Sequence, residues 1–219
     1  MTRVLRFTGW MLIGAGAAVL LYLVYSLFYT GLETRKAQQA LSEAWELNGP
    51  GNDQLYTANT ALGGEPEQVE PGEAVAVLQF FRPGFASALV HDGPLYVVEG
   101  TGVQDLKKGP GRYRDTAMPG QAGNFAVAGH RTTYGHPFFD LDDLQPGDHV
   151  LVTDRRGVRW TYSVVQLQVV SPYASEVLKS DPLGLNRPML TLTTCHPRFS
   201  NARRLVVFAE LLNPTGGPQ

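Results

Sequence analysis

The chain has 219 residues, 43% of them hydrophobic and 17% charged, with a formal net charge of -2. That length suits one globular domain plus an appendage. The basic residues form no run that would attract a polyanion, which excludes nucleic acid as a partner, and the single cysteine, Cys195, excludes an internal disulfide.

Residues 1–9 carry Arg3 and Arg6, and Trp10 to Tyr29 then runs for twenty residues without a charge. A helix of about 20 apolar residues spans a hydrocarbon core of ~30 Å. The run exceeds the apolar stretch of a cleavable signal peptide, and no small-x-small site follows it before Leu32, so an uncleaved signal-anchor over residues 10–29 is expected. Two arginines ahead of the span, against the mixed charges of Glu33, Arg35 and Lys36 after it, predict a cytoplasmic N-terminus and an extracellular remainder.

Residues 30–73 are expected to be a juxtamembrane helix and a linker. Gly31 to about Trp45 is rich in helix formers and is expected as a solvated stalk. From Leu47 to Glu73, Asn-Gly-Pro-Gly-Asn and Gly-Gly-Glu-Pro clusters break any period and predict low order. From Ala74 onward short β-type segments alternate with turn clusters, among them Arg82-Pro83-Gly84, His91-Asp92-Gly93-Pro94 and Arg155-Arg156-Gly157. Met189 to Thr194 and Leu205 to Leu211 read as the last two strands, and residues 213–219 as a flexible tail. Many short strands and few helices predict an all-β sandwich or closed barrel across residues 74–212. Phe138 to Leu144 has helical spacing, and Ser171 to Pro188 is an irregular loop with one helical turn near Ser175 to Leu178. A loop of that length is a candidate for function.

Cys195 ends one predicted strand, a loop away from the arginines that begin the next. A thiol becomes a useful nucleophile when a nearby histidine or cation favours the thiolate. His130 follows Gly129 at the end of the strand Phe125-Ala126-Val127-Ala128, where its side chain can project from a barrel rim. His196 adjoins Cys195, but successive side chains of an extended chain point to opposite faces, so it is expected to look away. Arg203 and Arg204 both suit the stabilisation of an oxyanion, and alternation alone leaves the choice between them open.

The order Gly109-Pro110-Gly111-x-Tyr113, Pro119-Gly120-x-x-Gly123-Asn124, Ala128-Gly129-His130-Arg131-Thr132-Thr133-Tyr134-Gly135, Leu144-x-Pro146-Gly147-Asp148 and Thr191-Leu192-Thr193-Thr194-Cys195-His196-Pro197 resembles the sortase cysteine transpeptidases. The Cys195-His196-Pro197 continuation resembles their class E branch of actinobacterial type. One departure is Arg112, where the family often has histidine. The resemblance implies an eight-stranded β-barrel with Cys195, His130 and Arg204 as catalytic residues at one end of a groove, and it selects Arg204 over Arg203. It implies cleavage of an LAxTG- or LPxTG-type sorting signal between Thr and Gly through a thioacyl intermediate. The acceptor is then an amine of the peptidoglycan precursor, or a pilin lysine, on the surface of a Gram-positive cell. No cofactor is implied.

Thr194 and Tyr134 are candidate substrate-binding residues beside the groove. No metal is expected, because zinc spacing is missing around Cys195 and His130, and Asp140, Asp142 and Asp143 lack the glycine and distal glutamate of a calcium loop. Two alternatives are an L,D-transpeptidase, which should carry Ser-x-Gly-Cys where this chain has Thr193-Thr194-Cys195, and an inactive peptide-binding barrel.

Overall fold

The structure is a computed structural model that describes residues 2–48, 69–85 and 87–214. A long N-terminal helix, α1 (Thr2–Asn48), precedes eight strands. These are β1 (Ala74–Phe81), β2 (Leu95–Glu99), β3 (Gly111–Arg112), β4 (Asn124–Ala128), β5 (His149–Asp154), β6 (Arg159–Val170), β7 (Met189–His196) and β8 (Arg203–Pro214). A short helix, α2 (Val103–Lys108), lies between β2 and β3. The strands close into a barrel in the order β1-β2-β3-β4-β7-β8-β6-β5, as the resemblance implies. Most of the expected linker, from Gly49 to Gln68, lies outside the described residues, as does 215–219 of the tail.

Strand character follows from local pattern. β5 alternates half-buried and buried positions, the signature of a strand with one face on the core. β4 and β7 are buried almost throughout, because the barrel fills one face and the β6–β7 loop covers the other. Inside the barrel Phe80, Val97, Phe125, Val127, Val150, Tyr162, Leu190, Leu192 and Val207 form one continuous core. Burial pushes the Tyr162 phenol up to about 12 while its oxygen accepts the Gly120 N–H at 2.8 Å.

Two pairings are parallel, β2 with β3 and β4 with β7. A parallel pair needs a crossover, and α2 supplies the shorter one. The Lys107-Lys108-Gly109-Pro110-Gly111 cluster ends α2 and opens β3. Phe138 to Leu144 forms only a 3-10 turn at Leu141–Asp143. β8 continues through Asn213 and Pro214, which pair with Thr161 and Trp160, so the tail begins later than its composition suggests.

α1 divides by environment. Met11, Leu12, Ile13, Leu20 and Leu21 are exposed, and this is a helix long and apolar enough to cross a membrane. Beyond the apolar run it is no solvated stalk. Thr34 is buried and donates to the Lys107 carbonyl at 2.8 Å, Gln38 bonds to both Tyr96 and Lys108, and Trp45 meets the Tyr96 ring edge-on at 6.1 Å. Thr34, Gln38, Leu41 and Trp45 recur at helical spacing on one face. The stripe is polar enough to be mistaken for a solvated face, and it docks through hydrogen bonds to backbone carbonyls.

Arg112, the departure noted in sequence, sits in a buried pair with Glu99: Nε to Oε2 is 2.8 Å and Nη2 to Oε1 is 3.0 Å. It also donates to the Thr116 carbonyl. Removing one member of such a pair strands the other charge. Arg112→Ala should lower unfolding free energy by about 3–5 kcal/mol, whereas replacing Arg112 and Glu99 together by apolar residues of similar volume should cost less; denaturant titration of both checks it.

Candidate active site

Three adjacent strands bring the candidate residues together. β7 and β8 are antiparallel with Cys195 directly opposite Arg204 and His196 opposite Arg203. Directly paired residues project from the same face of a sheet. Cys195 and Arg204 therefore share the outer face, with Thr193 and Val206, and both Thr193 and Arg204 line the groove there. Arg203 and His196 project the other way. The choice that sequence alternation leaves open is a matter of register, and register puts Arg204 beside the thiol.

His130 arrives on the other side of Cys195. β4 runs parallel to β7 with Ala128 opposite Thr193, the Gly129 N–H donates to the Thr193 carbonyl at 3.0 Å, and Thr194 Oγ1 donates to the Gly129 carbonyl at 2.8 Å. Continuing that pairing by two residues sets His130 level with Cys195. The Tyr134 ring packs on the imidazole with centroids 5.0 Å apart, tilted at 39°. Burial holds the His130 imidazole below its usual value of 6.5.

A charged clamp ties the loops of these strands. Arg131 is 2% exposed; its Nε donates to the Phe139 carbonyl at 2.9 Å, Nη1 to the Cys195 carbonyl at 3.4 Å, and Nη2 lies 2.6 Å from Asp142 Oδ1. Arg198, from the β7–β8 loop, reaches Asp140 and Asp142 and covers the Phe139 ring at 4.3 Å. Desolvation alone would raise the Asp142 carboxyl, but hydrogen bonding and charge from Arg131, with help from Arg198, hold it below the usual range. The sequence reading placed Arg131 in a motif without giving it a task; its position directly after His130 was the available signal.

The groove has a volume of about 210 Å³ and runs between the β6–β7 loop and β7–β8. The loop is fixed by Asn124, whose Nδ2 donates to the Val177 and Lys179 carbonyls at 3.2 and 3.0 Å, and by apolar packing of Val177 on Met189, Val206 and Phe208. Tyr113, which carried no role in sequence, forms a wall, its hydroxyl 3.0 Å from Thr193 Oγ1. Exposed Tyr173 flanks the opening. A larger cavity of about 460 Å³ lies beyond Tyr113 and Leu178 against Asp105, Arg114 and Asp115; it lacks the Thr193 and Arg204 that line the smaller groove.

One expectation changes. Thr194 alternates with Cys195, so it faces the barrel side and donates its hydroxyl to the Gly129 carbonyl. Thr193 takes the groove position. Tyr134 packs against His130 from the loop.

A protein with this barrel and this Cys–Arg pairing finds its counterparts readily. The sortase domain model matches residues 92–212. This chain belongs to the sortase family, a class of cysteine transpeptidases. Sortase E from Streptomyces avermitilis is 40% identical with a TM-score of 0.57, over 68% of this chain and 97% of that one. Sortase SrtE1 of Streptomyces coelicolor is 31% identical over 94% of this chain, and the match spans 57% of that protein's length. The crystal structure of sortase E1 from Streptomyces coelicolor, which holds a tripeptide in its active site, has a TM-score of 0.55 at 29% identity, covering 67% of this chain and 92% of that one. These similarities place the chain in the class E branch.

Burial lowers the His130 value on folding, so as pH falls the unfolded chain binds this proton first. The group therefore weakens the fold below about pH 6.5, with stability rising again toward neutral pH. An NMR titration of His130 should give a midpoint below 6.5. In Tyr134→Ala, which opens the ring to water, the midpoint should move up toward that value.

Proposed function

We propose that this protein is a membrane-anchored class E sortase, with an extracellular barrel that cleaves LAxTG- or LPxTG-type sorting signals between Thr and Gly and transfers the protein to a cell-wall amine. The observation that carries this reading is the cross-strand pairing of Cys195 with Arg204, which lines a groove of about 210 Å³, with His130 brought level with Cys195 by the β4–β7 pairing. The tripeptide held by the S. coelicolor sortase E1 supports a peptide in the same groove here.

In this mechanism the neutral His130 takes the Cys195 proton as the thiolate attacks the threonyl carbonyl carbon, forming the C–S bond. Arg204 stabilises the oxyanion; its Nη1 is tethered to the Asn201 and Arg203 carbonyls, both at 3.0 Å, which fixes the guanidinium over the groove. The C–N bond to glycine then breaks, and His130 returns the proton to the leaving amine. An amine of the peptidoglycan precursor, or a pilin lysine, attacks the thioester carbon and gives a proton to His130; the new C–N bond forms as the C–S bond breaks, and His130 passes the proton to the leaving sulfur, restoring the Cys195 thiol. Arg131, directly after His130, holds the Cys195 carbonyl at 3.4 Å and so ties the loop of the base to the strand of the nucleophile.

Orientation in the membrane follows the charge bias of Arg3 and Arg6, with the barrel outside.

Cys195→Ala should abolish cleavage of an LAxTG peptide, and mass spectrometry of the native protein should show acyl mass on Cys195; turnover retained by Cys195→Ala overturns the reading. Arg204→Ala should lose about 10²–10³ in kcat, as removal of an oxyanion donor does, while Arg203→Ala should lose far less. A larger loss at Arg203 in steady-state kinetics would reverse the assignment.

A further inference from the structure

The part of α1 beyond its apolar run docks on α2 and β2, and at Thr34 it also meets the loop that follows His130. Thr34, buried in the interface, donates to the Lys107 carbonyl at 2.8 Å. The same side chain lies against Gly135: a Cβ added there would fall 2.9 Å from Thr34 Cγ2, so the loop backbone approaches the helix as closely as glycine allows. Gly135 has φ of +70°, and its neighbours Tyr134 and His136 also have positive φ, at 49° and 40°. Tyr134 and His136, two non-glycine residues in the left-handed region, cost energy there and persist only where surrounding contacts hold them.

One turn along, Gln38 forms three hydrogen bonds. Its Nε2 donates to the Tyr96 carbonyl at 3.0 Å and the Lys108 carbonyl at 2.9 Å, and its Oε1 accepts the Tyr96 N–H at 2.9 Å. Gly109 leaves room for this amide, since a Cβ there would lie 2.2 Å from Gln38 Nε2. Gln38 thus fastens β2 and the end of α2 together. Lys107, held by Thr34 through its carbonyl, places its Nζ 5.7 Å from the centroid of the Tyr134 ring, and that ring packs on His130.

We infer that residues 31–48 of α1 are a brace for the active site: Thr34 and Gln38 are positioning residues that hold α2 and the Tyr134–His136 turn so that Tyr134 keeps the His130 imidazole level with Cys195. The inference rests on the catalytic role proposed for His130. It makes the juxtamembrane helix part of the catalytic unit. The groove itself is built by β7, β8 and the β6–β7 loop, and α1 contributes none of its lining residues. The brace therefore acts on the chemical step and leaves peptide binding alone.

The test uses the full chain in detergent micelles, with kcat expressed per folded molecule, the folded fraction of each variant being taken from its cooperative thermal unfolding curve. Gln38→Ala should lower kcat about tenfold with KM changed less than about twofold, since small displacements of a catalytic group cost rate steeply. Thr34→Val, isosteric but unable to donate, should lower kcat about threefold, and Thr34→Ser, which keeps the hydroxyl, should restore it. Gln39→Ala, on the exposed neighbouring position, is the control. Unchanged kcat in Gln38→Ala and Thr34→Val, an equal loss in Gln39→Ala, or a loss carried by KM overturns the brace. His130→Ala separates the two ideas: full activity in that variant sinks the catalytic reading, whereas an inactive His130→Ala beside an unaffected Gln38→Ala sinks the brace alone.

Discussion

The register of β4, β7 and β8 governs everything at the site. Strand side chains alternate with a period of two, so sliding β8 by one residue against β7 would exchange Arg204 for Arg203 on the thiol face and turn Val206 and Phe208 inward. The apolar residues oppose that slip. Leu205, Val207 and Ala209 belong to the barrel interior, while Val206 and Phe208 pack under the β6–β7 loop. Both faces of β8 are committed, and the position of one guanidinium follows from the burial of five hydrocarbon side chains.

Around that register, the loops are held by polar bonds. Asn124 reads two carbonyls of the β6–β7 loop and also accepts the Thr191 hydroxyl at 2.8 Å, tying the groove's cover to the strands beneath it. Arg131 and Arg198 converge on Asp142 from the two loops that flank Cys195. The Asp142 carboxylate is partly exposed, so screening tempers its charge; the buried Arg131 is the more consequential partner, since its planar fork satisfies two backbone carbonyls and a carboxylate at once. The same economy appears at Gln38, where one amide serves three backbone groups.

α1 has two halves of different character. Its first half has the length and apolarity of a membrane span, and its second half is a polar helix that nevertheless loses water against the barrel. Hydropathy separates these halves well but is blind to what the second half touches, because the contacts that dock it are hydrogen bonds from Thr34 and Gln38 and the edge of Trp45. A docked polar helix and a solvated stalk have the same composition. Only the i, i+4, i+7, i+11 placing of those side chains hints at the difference.

By itself the sequence determined what local chemistry can determine. The uncharged run from Trp10 to Tyr29 is long enough for a bilayer, the lone cysteine has a single place at a strand end, and alternation with turn residues marks most strands from Ala74 onward. The family resemblance, carried by motifs in order, added the barrel and the preference for Arg204. The tertiary structure alone decided which threonine faces the groove, since Thr193 and Thr194 are equivalent until β7 acquires neighbours on both sides. It also turned Arg112 from an anomaly into half of a buried pair with Glu99, formed α2 over Val103–Lys108, and docked the juxtamembrane helix. Each of these depends on partners distant in the chain. A period of two or of 3.6 residues shows that an element has faces, and only packing says what each face meets.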